Sequence, residues 1–140
     1  MNKRSVAFVI VILAAGIAIG VTADRVAFAQ QAAQPTIKRT VLQKADDPGS
    51  SKYEAVMAIA EIPPGGTSGR HTHPGIELAY VLDGSVELQQ GTGAAKSYKA
   101  GDFMQNVAVI HNATNKGTKP VKILAVYIVE KGKPMAEPAK

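Results

Sequence analysis

The chain contains no cysteine among its 140 residues. A disulfide framework, a thiolate metal site and a cysteine nucleophile are therefore all excluded. A chain of this length is enough for one domain with a short appendage. Without disulfides, such a domain must be stabilised by a packed core or by a bound metal ion, and a closed barrel is one architecture that buries enough surface.

Positive charge is present in the chain but is not concentrated anywhere. The formal net charge is +5 and the sequence pI is about 9.5. Residues 1–29 hold three of the basic residues and one acidic residue, so the remaining 13 basic and 10 acidic residues leave a net charge of +3. The lysines are scattered, and no basic run alternates with aromatic residues as it does in many nucleic-acid-binding surfaces. We therefore expect no nucleic-acid partner.

The N-terminal apolar run is too short for an ordinary membrane span, which needs about 20 residues. It extends over the 16 residues Val6–Val21, after the positive residues Lys3 and Arg4. Ala27-Phe28-Ala29 follows it as a small-x-small cleavage site. We predict that residues 1–29 form a helical signal peptide that exports the protein to the periplasm or the medium, with retention as an uncleaved membrane anchor as the alternative.

The rest of the chain has no clear 3.6-residue hydrophobic period, so long helices are not expected there. Short β-prone segments instead alternate with turns rich in Gly, Pro, Asp and Asn. They predict strands at residues 37–43, 53–62, 77–82, 85–90, 96–99, 102–109, 111–114 and 121–129. Asp83-Gly84 predicts a two-residue hairpin between two of them. The predicted organisation is a flexible leader over 30–35, an all-β sandwich or barrel over 36–130, and an unstructured tail over 131–140.

Histidine occurs at only three positions, His71, His73 and His111. Residues two apart on a strand point to one face, so the first two present both imidazoles to one side. Glu77 shares that face if the strand continues, or points back from the next strand if Pro74-Gly75 forms a turn. Taken singly, each residue could be an ordinary surface or loop residue. In combination, imidazole and carboxylate are the usual ligands of a first-row divalent metal ion, and we predict that the four side chains converge on one.

Glycines frame this group, and with them the segment resembles the first motif of the cupin superfamily. The pattern is Gly65-x5-His71-x-His73-x3-Glu77-x6-Gly84, and every fixed position of the motif is matched. The chain is therefore identified as a small exported single-domain cupin of the type-2 barrel class.

A second cupin motif is matched in part. Gly101-Asp102 opens it and His111-x3-Asn115 closes it. The family's proline and second glycine are replaced by the residues 106–109, and the distance from glycine to histidine is one residue shorter than usual. The way in which the chain presents His111 is therefore the part of the site that differs most from the family pattern.

The resemblance covers about residues 36–130 and implies a six- to eight-stranded double-sheet barrel of jelly-roll type, also called a double-stranded β-helix. It implies that His71, His73, Glu77 and His111 bind the metal ion. Iron(II) and manganese(II) are the frequent occupants of such sites, and zinc, nickel and copper also occur. The mixed nitrogen and oxygen ligands agree with this range and do not select from it.

Two classes of function follow. The resemblance implies a small-molecule dioxygenase or a related oxidoreductase of quercetinase-like type, in which Glu77 would also accept a proton as general base. The alternative is a non-catalytic module that binds metal or a small ligand, because no other acid, base or nucleophile stands out and fold does not settle activity. Cupins often pair through strand edges, so we expect a homodimer, with Val121–Val129 as a candidate partner surface.

Overall fold

The computed structural model describes residues 36–140, which form an all-β domain. No helix in this range is long and apolar enough to cross a membrane. The predicted signal helix over 1–29 and the leader over 30–35 lie outside the described residues. The described strands are β1 Lys38–Asp46, β2 Tyr53–Ile62, β3 His71–Thr72, β4 Gly75–Asp83, β5 Ser85–Gln90, β6 Lys96–Lys99, β7 Phe103–Val107, β8 His111–Thr114, β9 Val121–Glu130 and β10 Glu137–Pro138.

The strands form two five-stranded sheets. The first has the order β1-β2-β9-β4-β7, and the second has the order β10-β3-β8-β5-β6. All neighbouring strands are antiparallel. The prediction of an all-β, double-sheet fold is therefore confirmed, with ten strands in the described residues rather than six to eight.

The apolar core follows from the period-two alternation of the strands, which sends every second side chain inward. Along β9 the inward residues are Val121, Ile123, Ala125, Tyr127 and Val129, and all five are buried. β9 is the middle strand of its sheet and pairs with β2 on one side and β4 on the other. The prediction that this segment is well buried is confirmed. It cannot accept a partner strand, however, because both of its edges are already paired.

Two turns move the chain between the sheets, one on either side of β4. Pro74-Gly75 leads from β3 in the second sheet to β4 in the first, and Asp83-Gly84 leads from β4 to β5 in the second. The predicted hairpin at Asp83-Gly84 is wrong, because β4 and β5 do not pair. Gly84 has a φ of 79°, and its N–H donates to Asp83 Oδ1 at 2.8 Å. A tight hairpin and a sheet crossing both need this local chemistry, so the dipeptide could not distinguish them.

The C-terminal residues are part of the fold, contrary to the prediction of an unstructured tail over 131–140. β10 pairs with β3, and the Ala139 N–H donates to the Arg70 carbonyl at 3.0 Å. The Met135 side chain packs against the core. The short strand β3 has backbone groups that need a partner, and the end of the chain provides it. This pairing is between segments about 65 residues apart in sequence, so local propensity carried no sign of it.

Candidate metal centre

The three histidines meet inside the barrel. His71 in β3 lies directly opposite His111, the first residue of β8, and His73 follows β3 by one residue. All three are buried, with 3–6% of their surface exposed. One nitrogen of each ring lies within 4.8 Å of the corresponding nitrogens of the other two. The triad could therefore hold a metal ion.

Backbone carbonyls determine which nitrogen of each ring carries the proton. Nδ1 of His71 lies 2.8 Å from the Gly69 carbonyl oxygen, and Nδ1 of His111 lies 2.9 Å from that of Val109. Nδ1 of His73 contacts the Met135 carbonyl oxygen at 2.5 Å, so the C-terminal segment also orients the site. A carbonyl only accepts, so each Nδ1 must donate. In the neutral rings every Nε2 then carries an unprotonated lone pair, and this tautomer of histidine can bind a metal ion through Nε2.

Glu77 reaches the triad from the opposite sheet. The crossing at Pro74-Gly75 makes it the third residue of β4, facing inward. Its Oε2 lies 3.3 Å from Nε2 of His73 and 3.3 Å from Nε2 of His111. Of the two predicted routes, the structure adopts the turn. All four predicted site residues therefore converge, although three come from one sheet and the fourth from the other.

These four side chains fit a divalent metal ion. Nε2 of His73 and Nε2 of His111 are buried and have no hydrogen-bond partner. Both lone pairs face the oxygen of an ionised carboxylate, which is an unfavourable contact unless a cation is shared between them. Three imidazole nitrogens and one carboxylate oxygen are a donor set that first-row divalent ions accept.

The environment favours the protonation states that metal binding needs. Burial opposes ionisation of Glu77, but hydrogen bonds from His111 and His73 when their rings are protonated, and from Asn106 in either state, outweigh burial and hold the pKa of its carboxyl well below the usual range. Burial, together with the nearby His111 and Arg39, lowers the pKa of His71 from 6.5 to about 4 against the opposing hydrogen bond to Gly69. An anionic carboxylate and a neutral imidazole are the metal-binding forms.

Three of the four ligand side chains, His71, His111 and Glu77, line a cavity of about 30 Å³, which has room for about two water molecules. The remaining lining is mostly apolar, with four polar side chains, and consists of Ile37, Arg39, Ala60, Ile62, Ser68, Ala79, Leu88, Met104, Asn106, Ala113, Ile123 and Tyr127.

Comparison with known proteins identifies the family. The sequence model of the family described as "Cupin domain" matches residues 58–127, which is half of the chain and contains all four predicted ligands. The chain belongs to the cupin family. No significant match was found among curated protein sequences.

Solved structures agree with this assignment at the level of the fold. An uncharacterised protein with a double-stranded β-helix domain from Klebsiella pneumoniae is 24% identical, with a TM-score of 0.61 over 76% of this chain and 90% of that one. A cupin domain from Bordetella pertussis is 20% identical, with a TM-score of 0.55 over 69% and 97%. The DMSP lyase DddQ of Ruegeria pomeroyi is 17% identical, with a TM-score of 0.59 over 74% and 51%. At these identities the likeness is one of fold alone.

The segment that departs from the second cupin motif supplies a contact to the site. Asn106 is buried and donates from Nδ2 to Glu77 Oε2 at 2.6 Å. Its Oδ1 accepts a hydrogen bond from Gln90 Nε2 at 2.7 Å, which fixes the orientation of the amide. Asn106 was not singled out from the sequence. The signal that could have found it is its register, because Asn106 pairs with Glu77 across β7 and β4.

The shortened approach to His111 is made by an alanine with a left-handed backbone. Ala108 has a φ of 46° and is the only non-glycine residue with positive φ among residues 36–140. Its N–H donates to the Gly75 carbonyl at 3.2 Å, which joins the two cupin motifs. The backbone then turns so that the Val109 carbonyl meets the His111 ring. The missing motif glycine therefore does not displace His111 from the triad.

Asn115, the last position of the second motif, has a structural role. It is fully buried, and its Nδ2 donates to the Ile62 carbonyl at 2.9 Å and to the Lys119 carbonyl at 2.8 Å. Its backbone carbonyl accepts from the Gly65 N–H at 2.9 Å. Asn115 thus ties the end of β8 to the turn that precedes the histidine strand, and holds the two halves of the site together.

Three further polar residues of the cavity were not predicted from the sequence: Arg39, Ser68 and Tyr127. Arg39 Nη2 lies 3.3 Å from His71 Nε2. Tyr127 lies opposite Glu77 across β9 and β4, with its ring centroid 4.8 Å from that of His73. Burial, followed by the Glu77 charge, raises the pKa of Tyr127 above its ordinary value of 10, so the side chain stays a phenol that can donate. The alternation of β9 could have indicated Tyr127, since it lies on the buried face.

Proposed function

We propose that this protein is an exported cupin that binds a divalent metal ion through His71, His73, Glu77 and His111 and takes a small molecule at that ion. The observation that carries the proposal is the pair of buried Nε2 lone pairs facing the Glu77 carboxylate with no hydrogen-bond partner. Iron(II) or manganese(II) is the proposed occupant, with zinc, nickel and copper as alternatives, because the donor set suits all of them.

The proposed reaction class is that of a small-molecule dioxygenase or a related oxidoreductase. When bound, the metal ion would supply Lewis-acid or redox chemistry at coordination positions that the protein leaves open. The cavity beside the ligands is small and mostly apolar, and Asn106 holds the Glu77 carboxylate in place. Glu77 can accept a proton as general base only when its hydrogen bond from Asn106 loosens, because that donor stabilises the charged form.

The alternative is a non-catalytic module that binds metal or a small ligand. Among the described residues that line the cavity, Glu77 is the only carboxylate, and Tyr127 opposite it stays a phenol because its pKa is raised, so it supplies no base. For this class we expect tight, stoichiometric metal binding without catalytic turnover, and a large fall in melting temperature when the metal ion is removed by a chelator.

Metal analysis tests the proposal most directly. The wild-type protein and a His73→Ala variant are purified from the compartment to which the host exports them, and the metal content of each is measured. We expect about one first-row metal ion per wild-type chain and a large loss in the variant. Oxygen uptake is then followed with small phenols, diketones and flavonols. Uptake no greater than that of His73→Ala would count against the enzyme class and favour the binding module.

We also propose that the protein forms a homodimer. The supporting observation is the outer face of the first sheet, where β4, β7 and β9 expose large apolar side chains side by side. These are Leu78, Tyr80, Phe103, Val107 and Ile128, and Phe103 is 79% exposed. Contiguous apolar surface of this kind marks an interaction site in a soluble protein.

A further inference from the structure

Arg39 is a cationic side chain that enters the barrel beside the predicted metal ligands. It lies on β1, lines the cavity, and its Nη2 lies 3.3 Å from His71 Nε2. Its Nε is buried and has no hydrogen-bond partner among the described residues. Glu77 is the only carboxylate of the described lining, and its Oε2 faces His73 and His111, 3.3 Å from Nε2 of each, rather than Arg39. The guanidinium therefore lacks an anionic partner within the described chain.

The hydrogen bond from Arg39 competes with metal binding. Nε2 of His71 has one lone pair, which can accept from the guanidinium or bind a metal ion, but cannot do both. Once His71 binds metal, the Arg39 donor loses its acceptor inside a mostly apolar cavity. A buried donor without a partner is costly, and a buried guanidinium without a partner is more so.

The balance of charge points in the same direction. A divalent ion and Arg39 bring three positive charges to the cavity, and Glu77 supplies one negative charge. Tyr127 stays neutral and His71 binds as a neutral ring. Two uncompensated positive charges beside a mostly apolar lining favour an anionic ligand.

We propose, on the basis of the metal-binding function above, that Arg39 recognises the carboxylate of a small organic acid bound in this cavity. Guanidinium and carboxylate match in shape and hydrogen-bond in pairs, which makes arginine the preferred residue for this role. The cavity of about 30 Å³ is small, so it favours a carboxylate with at most a short substituent. Its apolar neighbours Ile37, Ala60 and Ile62 suit an aliphatic substituent better than a second charged group.

Metal and carboxylate should consequently bind cooperatively. Metal frees the guanidinium from His71, and the carboxylate then takes up the freed donor. Because coupling between two binding sites is reciprocal, the acid should strengthen metal binding by the same factor as metal strengthens binding of the acid.

Calorimetric titration of the full chain tests this inference. Lactate, acetate and sulfate are titrated into metal-loaded and chelated protein, with wild type compared with Arg39→Met and Arg39→Lys. Lys38→Met is the matched control, because it removes a positive charge from the adjacent, exposed position of the same strand. The metal content and melting temperature of every sample are measured in parallel.

We expect metal to tighten lactate binding by at least tenfold in the wild type. Arg39→Met should weaken lactate binding by tenfold or more while keeping its metal, Arg39→Lys should retain part of the affinity, and Lys38→Met should match the wild type. Equal lactate affinity in Arg39→Met and wild type would overturn the inference, as would sulfate binding as tightly as lactate. The inference would also be overturned if a folded Arg39→Met variant lost both its metal ion and its affinity for lactate, since Arg39 would then support the metal site only.

The result separates this inference from the proposed function. A wild type that takes up no metal contradicts the metal-binding proposal. Lactate binding to that metal-free chain, lost in Arg39→Met and kept in Lys38→Met, would still support recognition of a carboxylate by Arg39.

Discussion

Asn106 and Glu77 stand directly opposite each other on β7 and β4, and Asn106 Nδ2 lies 2.6 Å from Glu77 Oε2. The amide is itself held by Gln90. The carboxylate is therefore oriented towards His73 and His111 by a hydrogen bond from the segment in which this chain departs most from the cupin motif.

Replacing Asn106 should weaken metal binding without removing a ligand. Asn106→Leu keeps the branched shape of the side chain but leaves the Glu77 carboxylate without its donor, and loss of such an outer contact weakens metal affinity by about 10- to 100-fold. Competition with a chelator measures the change. Gln105→Ala, on the exposed face of the same strand, should leave the affinity unchanged. A normal affinity in folded Asn106→Leu would mean that Asn106 does not orient the ligand.

Gly75 should not tolerate a side chain. An added Cβ would lie 2.0 Å from the Ile128 carbonyl oxygen on β9, so the backbone of one strand would have to move. We expect Gly75→Ala to lower the free energy of unfolding by about 3 kcal/mol, as severe overpacking does. Gly49→Ala is the control, because its Cβ would meet only the Asp47 side chain at 3.4 Å. Urea unfolding of both variants measures the effect, and equal stability of the two would contradict the close approach.

Ala108→Gly should stabilise the protein. The left-handed backbone costs an alanine about 1–2 kcal/mol, and glycine loses about 0.4–1 kcal/mol through the greater entropy of its unfolded chain. Since Ala108 is exposed, no packing is lost, and a net gain of about 0.5–1 kcal/mol is expected. Ala95→Gly, in an exposed loop without positive φ, should change stability in the opposite direction. Chemical denaturation compares the two, and destabilisation by Ala108→Gly would refute this account of the approach to His111.

The metal-free protein should lose stability as the pH falls from 6.5 towards 4. The pKa of His71 is lowered in the folded state to about 4, so the unfolded chain binds a proton in this window before the folded chain does. The free energy of unfolding therefore decreases on acidification, by about 2 kcal/mol from this residue. Thermal melts of chelated protein between pH 7 and pH 4 measure the loss. His71→Gln should have a flatter profile in that window, and an equally steep one would exclude His71 as the cause.

The exposed face of the first sheet should hold two copies together. Light scattering is expected to give twice the chain mass for the wild type. Leu78→Lys combined with Phe103→Lys places two charges on the apolar face and should give the monomer mass, because burying them would be costly. Gln89→Lys, on an exposed position of the second sheet, should stay dimeric. A monomeric wild type would refute the homodimer.

Much of the site could be predicted because its chemistry is local in the chain. His71, His73 and Glu77 lie within seven residues, and the Pro74-Gly75 turn between them allows the carboxylate to point back towards the histidines. The strands at 53–62, 85–90, 96–99 and 111–114 were predicted with the bounds that the structure has, because Gly, Pro and Asn mark their ends.

What could not be predicted depends on pairing between distant segments. Asp83-Gly84 has the same local chemistry in a hairpin and in a sheet crossing. Glu137–Pro138 form the strand β10 only because they pair with β3. β9 is a central strand because β2 and β4 flank it.

The amino-acid sequence by itself determined the β-strand pattern, the cupin motif and the four side chains that could bind metal, because alternation and ligand spacing are properties of neighbouring residues. Only the tertiary structure decided how those side chains are used. It brought Asn106 to Glu77, the Met135 carbonyl to His73 and Arg39 to His71, in each case across strands far apart in the chain. The register of two sheets places such atoms within hydrogen-bond distance, and register depends on the whole barrel closing around one core.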